Sequence, residues 1–195
     1  MTTVSSGAAV VADAVIPVPV ELVAGEGVLD LRSVTVDAPD AVTERLAGEL
    51  LTSAGASVVD GAVPVTLTSE PAAGPAGSAN PERYTLTVTT EGVSVAAPER
   101  SGLLHAVRTL RQLANAGRSA QDAGPGAPLE VRAVVVRDEP RYSWRGLSFD
   151  VVRHWFGPAD LRAVVDLVGS YKMNRLHLHL SDDQGWRLEL SLIHI

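Results

Sequence analysis

The 195-residue sequence contains no cysteine, so disulfide bonds and thiolate metal sites are excluded. Acidic residues outnumber basic ones, and a net charge of −7 leaves no basic face of the kind that nucleic-acid binding needs. No apolar run is long enough to span a membrane, and the first residues lack the basic region of a secretory signal. These absences favour a cytoplasmic protein, or one without its native start, that binds neither nucleic acid nor membrane.

The remaining composition is that of a soluble, folded protein. Hydrophobic residues make up 46% of the chain and charged residues 20%, which excludes a disordered chain. The length suits one large domain, or one ordinary domain with part of another. Because the pattern of residues changes at Asp138, we divide the chain into residues 1–138 and 139–195.

Residues 1–138 combine short β-type runs with two amphipathic helices. Residues 16–22 contain two prolines and suit an edge or lead-in segment. Asp40 and Ser101 are expected to cap the two helices, which glycines at 55 and 117 end. Strands are expected over residues 34–36, 63–67, 84–89, 93–97 and 131–136, with the third and fourth forming a hairpin. This order predicts an α+β sandwich with helices on one face of a sheet.

No catalytic cluster appears in residues 1–138. His105 lies off the apolar stripe of its helix, so we expect it on the surface. Residues 70–80 have the composition of a flexible surface loop. The neighbouring carboxylates Asp138 and Glu139 look like a catalytic pair, but they precede the first strand of the next segment, at the end where residues serve stability.

Residues 139–195 show a strand–helix–strand pattern. Strands are predicted over residues 147–151 and 176–180, with a helix between them from Pro158 through Met173. Such a unit has parallel strands. Parallel strands that are buried on both faces begin either a doubly wound sheet or a barrel.

Polar and aromatic residues follow the carboxyl end of each predicted strand, where both architectures bind ligands. They are Asp150, Arg153, His154 and Trp155 after the first strand, and Ser181, Asp182, Asp183, Gln184 and Trp186 after the second. Arg153 offers a rigid fork of donors for neighbouring hydroxyls or a carboxylate. Trp186 offers an apolar plate for a pyranose ring. Asp182 and Asp183 are adjacent like charges, which would raise one pKa in a cleft.

These residues also have structural explanations. Asp150 or Arg153 alone would fit a structural ion pair. His177 and His179 alternate on one strand face and suit a metal, but no further ligands follow the pattern. Histidines that face a barrel interior are therefore favoured, and no metal site is predicted. Gly146 stands alone, so there is no glycine-rich phosphate loop.

Two segments, WRGLSFDVVRHWF and YKMNRLHLHLSDDQGWRLEL, resemble the opening of the catalytic barrel in glycoside hydrolase family 20 β-N-acetylhexosaminidases. This match runs from about Asp138 to Leu190. Three earlier segments, IPVPVEL, ERYTLTV and SGLLHAVRTLRQL, resemble the amino-terminal accessory domain of the same family. The resemblance implies an α+β accessory domain in residues 1–138. It implies the first β-α-β portion of an incomplete (β/α)8 TIM barrel in residues 139–195.

The resemblance also implies roles for individual residues. Arg153 matches the arginine that holds hydroxyls of the terminal N-acetylhexosamine, and Asp150 the residue that orients it. Asp182 matches the aspartate that anchors a histidine relay to the general acid, whereas Asp183 and Trp186 belong to the pocket wall. The family mechanism is retaining and substrate-assisted: the 2-acetamido oxygen attacks its own anomeric carbon, with an Asp–Glu pair after the fourth strand. No cofactor is implied.

By this resemblance, the chain is a fragment of an enzyme that removes terminal N-acetylglucosamine or N-acetylgalactosamine from glycans or chitin oligomers. A barrel needs roughly 250 residues, and residues 191–195 depart from the family pattern, so we expect a truncated and inactive chain without the Asp–Glu pair. One alternative is a non-catalytic carbohydrate-binding or interaction module. Another is a different glycosidase with a similar accessory domain, which the DDQGWR segment disfavours.

Overall fold

The computed structural model describes residues 14–116 and 127–188. The chain divides into two units, residues 1–141 and 142–195. The first unit contains β1 Glu21–Asp30, β2 Ser33–Asp37, α1 Ala41–Ala54, β3 Ser57–Val58, β4 Val63–Ser69, β5 Tyr84–Val88, β6 Val93–Ala97, α2 Arg100–Asn115 and β7 Glu130–Asp138. The second contains β8 Gly146–Asp150, α3 Pro158–Ser170, β9 Arg175–His179, β10 Ser181–Asp182 and β11 Gly185–Trp186. Among the described helices, none is both long and apolar enough to cross a membrane.

The first unit is built on one mixed sheet of seven strands, in the order β1-β7-β5-β6-β4-β2-β3. Strands β2, β4 and β6 are parallel, whereas β5 is antiparallel to both of its neighbours. The predicted hairpin is confirmed as β5 and β6. The sequence pattern indicated only a short edge segment at residues 16–22. The structure has a ten-residue edge strand, β1, which pairs with β7 and contains a bulge.

The core of the first unit lies between this sheet and its two helices. Alternate residues of β5 are buried, because a strand points successive side chains to opposite faces. The apolar stripe predicted for α2 is confirmed, and its four residues are buried: Leu103, Val107, Leu110 and Ala114. Helices α1 and α2 pack against each other. The observed arrangement is a mixed sheet covered by helices.

The amino end of α1 follows the prediction. Oδ1 of Asp40 accepts hydrogen bonds from the backbone N–H groups of Val42 and Thr43, at 3.0 and 3.1 Å. The helix ends at Gly55, whose φ of 106° is the left-handed conformation that glycine adopts at little cost.

The amino end of α2 differs from the prediction. The helix begins at Arg100 after an extended Glu99, whose side chain makes no capping hydrogen bond. Ser101 is therefore a residue of the first turn and not the cap. The predicted stop at Gly117 lies outside the described residues, and the helix ends at Asn115.

His105 is 6% exposed, so the prediction of a surface histidine is wrong. Its Nε2 atom lies 2.8 Å from Oε2 of Glu82, in the turn before β5. Gly102 allows that turn to approach the helix, because a Cβ atom there would lie 2.4 Å from the carbonyl oxygen of Arg83. The turn covers a part of α2 that helical periodicity alone assigns to solvent.

The loop predicted over residues 70–80 is present and folds back towards β5. The guanidinium of Arg83 donates hydrogen bonds to the carbonyl oxygens of Pro71, Ala73 and Asn80. Composition predicts a loop here, but not the arginine that fixes its path.

Asp138 and Glu139 have structural contacts in the first unit. Asp138 is buried at the end of β7, where its Oδ2 accepts a hydrogen bond of 2.9 Å from the hydroxyl of Tyr84. Burial, followed by the charge of Asp138, raises the pKa of Tyr84 well above its ordinary value. Glu139 is hydrogen-bonded to Ser78. These contacts agree with the structural interpretation of the pair.

The second unit contains the predicted strand–helix–strand element. Strands β8 and β9 are parallel, and Asp150 and His179 are register partners at their carboxyl ends. Helix α3 starts at Pro158 as predicted, but it ends at Ser170 and not at Met173. The short strands β10 and β11 form a hairpin directly after β9.

Candidate active site at the carboxyl ends of the parallel strands

The chain reverses immediately after β8, around the carboxylate of Asp150. Oδ1 of Asp150 accepts hydrogen bonds from the backbone N–H groups of Val152 and Arg153, at 2.9 and 3.1 Å. This turn brings the side chain of Arg153 back, so that its Nη1 donates to Oδ2 of Asp150 at 3.0 Å. The two backbone hydrogen bonds, and then the charge of Arg153, hold the pKa of Asp150 below its ordinary value.

Arg153 connects the ends of both parallel strands. While Nη1 is bonded to Asp150 after β8, Nη2 donates to Oδ2 of Asp182 after β9, at 2.6 Å. A guanidinium has five N–H donors, so two carboxylates leave others for a ligand. The Arg153 side chain is 63% exposed, which is compatible with such a ligand.

The carboxylate of Asp182 is held by donors on both oxygens. Oδ1 accepts a hydrogen bond of 2.8 Å from the backbone N–H of Asp183. Oδ2 lies 2.8 Å from Nε2 of His179, in addition to its contact with Arg153. These contacts, with that of Asp183 the largest and that of His179 next, lower the pKa of Asp182. The sequence pattern predicted a raised pKa for one of the two adjacent aspartates, and for Asp182 the pKa is lowered instead.

Asp183 and Trp186 lie on the hairpin that carries Asp182. Asp182 is paired with Gly185, so Asp183 and Gln184 form the two-residue turn. The side chains of Asp183 and Trp186 are exposed, and within the described residues neither is hydrogen-bonded to Arg153. The structure thus brings Asp150, Arg153 and Asp182 into one cluster and leaves Asp183 and Trp186 beside it.

Arg187, which the sequence analysis did not single out, joins the hairpin to the loop after β8. Its guanidinium donates to the carbonyl oxygens of Val151 and Val152, at 3.2 and 3.0 Å. The same group lies 5.0 Å from the ring centroid of Trp155, a cation–π geometry. The available signal in the sequence was the position of this arginine directly after Trp186, in the segment DDQGWR.

His179 was also missed as a partner of Asp182. The alternation of His177 and His179 indicated a common face, and the spacing of three residues from His179 to Asp182 was the available signal. Within the described residues no group of three or more His, Asp or Glu side chains is arranged to hold a metal ion. The imidazole of His179 is instead directed at a carboxylate.

The opposite end of the strand pair contains structural contacts. Oδ1 of Asn174 accepts a hydrogen bond from the backbone of Arg145, and its Nδ2 donates to the carbonyl oxygen of Ser143, at 3.1 and 2.9 Å. Nε of Arg145 donates to the carbonyl oxygen of Lys172 at 2.9 Å. Motif residues at this end therefore hold the strands together, whereas those at the carboxyl ends present exposed polar groups.

Both units match models of glycoside hydrolase domains. Residues 12–139 match the model described as glycosyl hydrolase family 20, domain 2, and residues 142–193 match that family's catalytic domain. The chain belongs to glycosyl hydrolase family 20, which confirms the resemblance found in the sequence.

Known proteins of this family are similar to the chain over most of its length. The chain is 48% identical to a β-N-acetylhexosaminidase of Cellulomonas fimi over 116 residues, which cover 60% of this chain and 21% of that protein. It is 30% identical to the N,N'-diacetylchitobiase of Vibrio harveyi over 183 residues, covering 92% and 20%. The structure of Streptomyces plicatus N-acetyl-β-hexosaminidase in complex with Thio-NAglucal aligns with a TM-score of 0.71 and 33% identity, covering 89% of this chain and 36% of that one. The chain spans about a fifth of the length of these curated relatives.

Proposed function

We propose that this chain is part of a β-N-acetylhexosaminidase that hydrolyses terminal non-reducing N-acetylhexosamine residues of glycans or chitin oligomers. The supporting observation is the cluster of Arg153 with Asp150 and Asp182, which occupies the carboxyl ends of two parallel strands. Ligands bind at that end of the sheet in both architectures that start with such strands. The names of the relatives from Cellulomonas fimi and Vibrio harveyi support the substrate class.

The charges of the cluster favour a neutral sugar over an anion. Each terminal nitrogen of Arg153 is already bonded to a carboxylate, and the pKa values of Asp150 and Asp182 are lowered. Two carboxylates and one guanidinium carry a net charge of −1 when all three are ionised, which disfavours a carboxylate or phosphate ligand. The other N–H groups of Arg153 suit the neighbouring hydroxyls of a pyranose.

We assign residues 1–138 to an accessory domain and residues 139–195 to the start of a (β/α)8 barrel, with β8 and β9 as its first two strands. In this assignment Arg153 binds the sugar hydroxyls and Asp150 orients it. Asp182 anchors the histidine relay to the general acid, while Asp183 and Trp186 border the pocket. The mechanism is retaining and substrate-assisted, with the 2-acetamido oxygen as the nucleophile.

The acid and the group that polarises the acetamide come from elsewhere in the complete enzyme. The chain has one Asp–Glu sequence, Asp138–Glu139, and its contacts with Tyr84 and Ser78 are structural. We therefore propose that the 195-residue chain alone does not catalyse hydrolysis.

A hybrid enzyme tests this function. Residues 1–188 of the chain replace the aligned part of the N,N'-diacetylchitobiase of Vibrio harveyi, with which the match extends over 183 residues. The hybrid is assayed with 4-nitrophenyl N-acetyl-β-D-glucosaminide. The matched control substrate is 4-nitrophenyl β-D-glucoside, which lacks the acetamido nucleophile. Hydrolysis of the first substrate only is the expected result. A folded hybrid that is inactive, or that cleaves both substrates equally, contradicts the proposal.

The alternative of a carbohydrate-binding module gives a different result. A module would bind chitin oligomers through the 195-residue chain itself, and Arg153→Ala would leave that binding unchanged. Calorimetric titration of both forms with a chitin oligomer distinguishes the two functions.

A further inference from the structure

His179 contacts one of the two carboxylates that hold Arg153 and pairs in register with the residue that carries the other. It is the last residue of β9 and the register partner of Asp150, and its Nε2 atom is 2.8 Å from Oδ2 of Asp182. We propose that His179 is a positioning residue, which holds the carboxylate of Asp182 and, through it, the guanidinium of Arg153 in the orientation that receives the sugar. The role in sugar binding rests on the proposed function, whereas the positioning of Arg153 is testable without it.

The hydrogen bond between His179 and Asp182 has a definite direction. Hydrogen bonds from Asp183 and His179 lower the pKa of Asp182, so its carboxylate is ionised at neutral pH and acts only as an acceptor. A lone pair on Nε2 would repel the facing carboxylate oxygen. Nε2 therefore carries the proton and donates it to Oδ2.

Asp182 thus receives donors from three different segments. Oδ2 accepts from His179 at the end of β9 and from Arg153 in the loop after β8, and Oδ1 accepts from Asp183 in the hairpin turn. The terminal torsion of an aspartate is soft, so a single contact does not fix it. An exposed ion pair such as that of Arg153 with Asp182 contributes little to stability, because holding both side chains in one geometry costs conformational entropy. His179 supplies the constraint, because its ring is attached to a paired strand.

His177 provides a matched comparison on the same strand. It lies two residues before His179, on the same face, and it is exposed opposite Ser148. Within the described residues its ring has no hydrogen bond with Asp150, Arg153 or Asp182. His177→Leu therefore changes the same residue type on the same strand without removing the proposed contact.

The first experiment uses the 195-residue chain and its side-chain NMR signals. We expect the proton on Nε2 of His179 and slow rotation of the Arg153 guanidinium in the wild type and in His177→Leu. His179→Leu should release that rotation, whereas His179→Gln should retain it, because a glutamine amide can donate from the position of Nε2. A proton on Nδ1 in place of Nε2, or identical Arg153 signals in all four proteins, overturns the proposal.

The second experiment uses the hybrid enzyme and tests whether this positioning serves sugar binding. His179→Leu should raise KM about three- to tenfold with a smaller change in kcat, because Arg153 contacts the sugar in both the ground state and the transition state. His179→Gln should return KM to within about twofold of the wild type, and His177→Leu should stay near it. Equal losses in both His179 variants would mean that the ring fills space and does not donate, which overturns the proposal. If the wild-type hybrid is inactive, the proposed function fails, and the NMR experiment still decides the role of His179.

Discussion

Nη2 of Arg153 donates a hydrogen bond of 2.6 Å to Oδ2 of Asp182, although the two residues are 29 positions apart in the chain. The contact joins the loop after β8 to the hairpin after β9. It forms because both parallel strands end at the same edge of the sheet, so that residues following each strand meet. A change in Arg153 is therefore expected to affect both ligand binding and the position of Asp182.

Arg153→Lys should lower kcat/KM of the hybrid enzyme at least about tenfold, because a single ammonium group cannot reproduce the planar fork that holds two carboxylates and, in the proposed role, the sugar. Steady-state kinetics with the N-acetylglucosaminide substrate measure the effect. Arg162→Lys, an exposed arginine of α3, is the matched control and should leave kcat/KM unchanged. Unchanged kinetics in Arg153→Lys would exclude Arg153 from the substrate site.

Asp182→Asn should lower kcat of the hybrid enzyme while KM changes little. The asparagine retains one oxygen for Nη2 of Arg153, so the binding contact survives. In the wild type the negative charge of Asp182 raises the pKa of the general acid through the relay, so its loss should lower that pKa. The alkaline limb of the pH–rate profile should therefore move to lower pH. A wild-type pH–rate curve in this variant rules out the relay.

Two helical glycines in the first unit should respond to alanine in opposite directions. A Cβ atom at Gly48 of α1 would meet only Cγ2 of Val58, at 3.7 Å, so Gly48→Ala should stabilise the unit by about 0.5–1 kcal/mol. At Gly102 of α2 the Cβ atom would lie 2.4 Å from a backbone oxygen of Arg83, so Gly102→Ala should destabilise by about 1–3 kcal/mol. Urea unfolding of the 195-residue chain measures both. Equal shifts of the same sign would contradict the close contact between α2 and the turn.

The stability that Asp40 contributes should depend on acid pH. Hydrogen bonds from the side chain and then the backbone of Thr43, with a further contact from Arg100, lower the pKa of Asp40 to about 2. Since the folded pKa is depressed, the contribution is complete above the unfolded pKa of about 4 and is lost as the pH falls towards the folded value. Asp40→Asn keeps a capping oxygen but does not titrate. The difference in urea midpoint between the wild type and this variant should therefore shrink from pH 6 to pH 3, and a constant difference would exclude the titration.

Part of the candidate site could be predicted from the sequence. The strand ends and the positions of Asp150, Arg153 and Asp182 follow from hydrophobic periodicity and from the rule that ligands bind at the carboxyl ends of parallel strands. The spacing of three residues from His179 to Asp182 is compatible with a contact but does not predict one, because the contact depends on the turn after β9 and on side-chain rotamers. The adjacent charges of Asp182 and Asp183 indicated a raised pKa for one of the two, whereas the pKa of Asp182 is lowered by hydrogen bonds from Asp183 and His179 and by Arg153.

In the fold, too, features that follow from a local sequence pattern were predicted, whereas features that depend on contacts with distant segments were not. The hairpin of β5 and β6 and the apolar stripe of α2 follow from local patterns, and both predictions are confirmed. The length of β1 and the burial of His105 depend on β7 and on the turn at Glu82, which lie elsewhere in the sequence. Ser101 had the right residue type for a cap, but the helix starts two residues earlier than such a cap implies, at Arg100.

The two units of the 195-residue chain should differ in their resistance to protease. The first unit has a buried core between seven strands and two helices, and about 140 residues are enough for independent folding. In the described part of the second unit, the buried hydrophobic side chains are Val151, Val152 and Val168. Strands β8 and β9 pair only with each other there, so their outer edges are open. Light trypsin digestion followed by mass spectrometry should leave the first unit intact and should cleave at arginine and lysine residues in the segment beyond about Trp144.

The same purified chain should not hydrolyse 4-nitrophenyl N-acetyl-β-D-glucosaminide. In the proposed assignment Arg153 and its two carboxylates bind and orient the sugar, but bond cleavage also requires a proton donor at the glycosidic oxygen and a group that polarises the acetamide. Asp182 is an ionised acceptor because its pKa is lowered, so it is unsuited to donate the proton. The hybrid enzyme, assayed at the same concentration, is the positive control. Turnover by the chain well above a blank without enzyme, and retained after a further purification step, would require a complete catalytic site within these 195 residues and would overturn the assignment of Asp182 as a residue that acts through a relay.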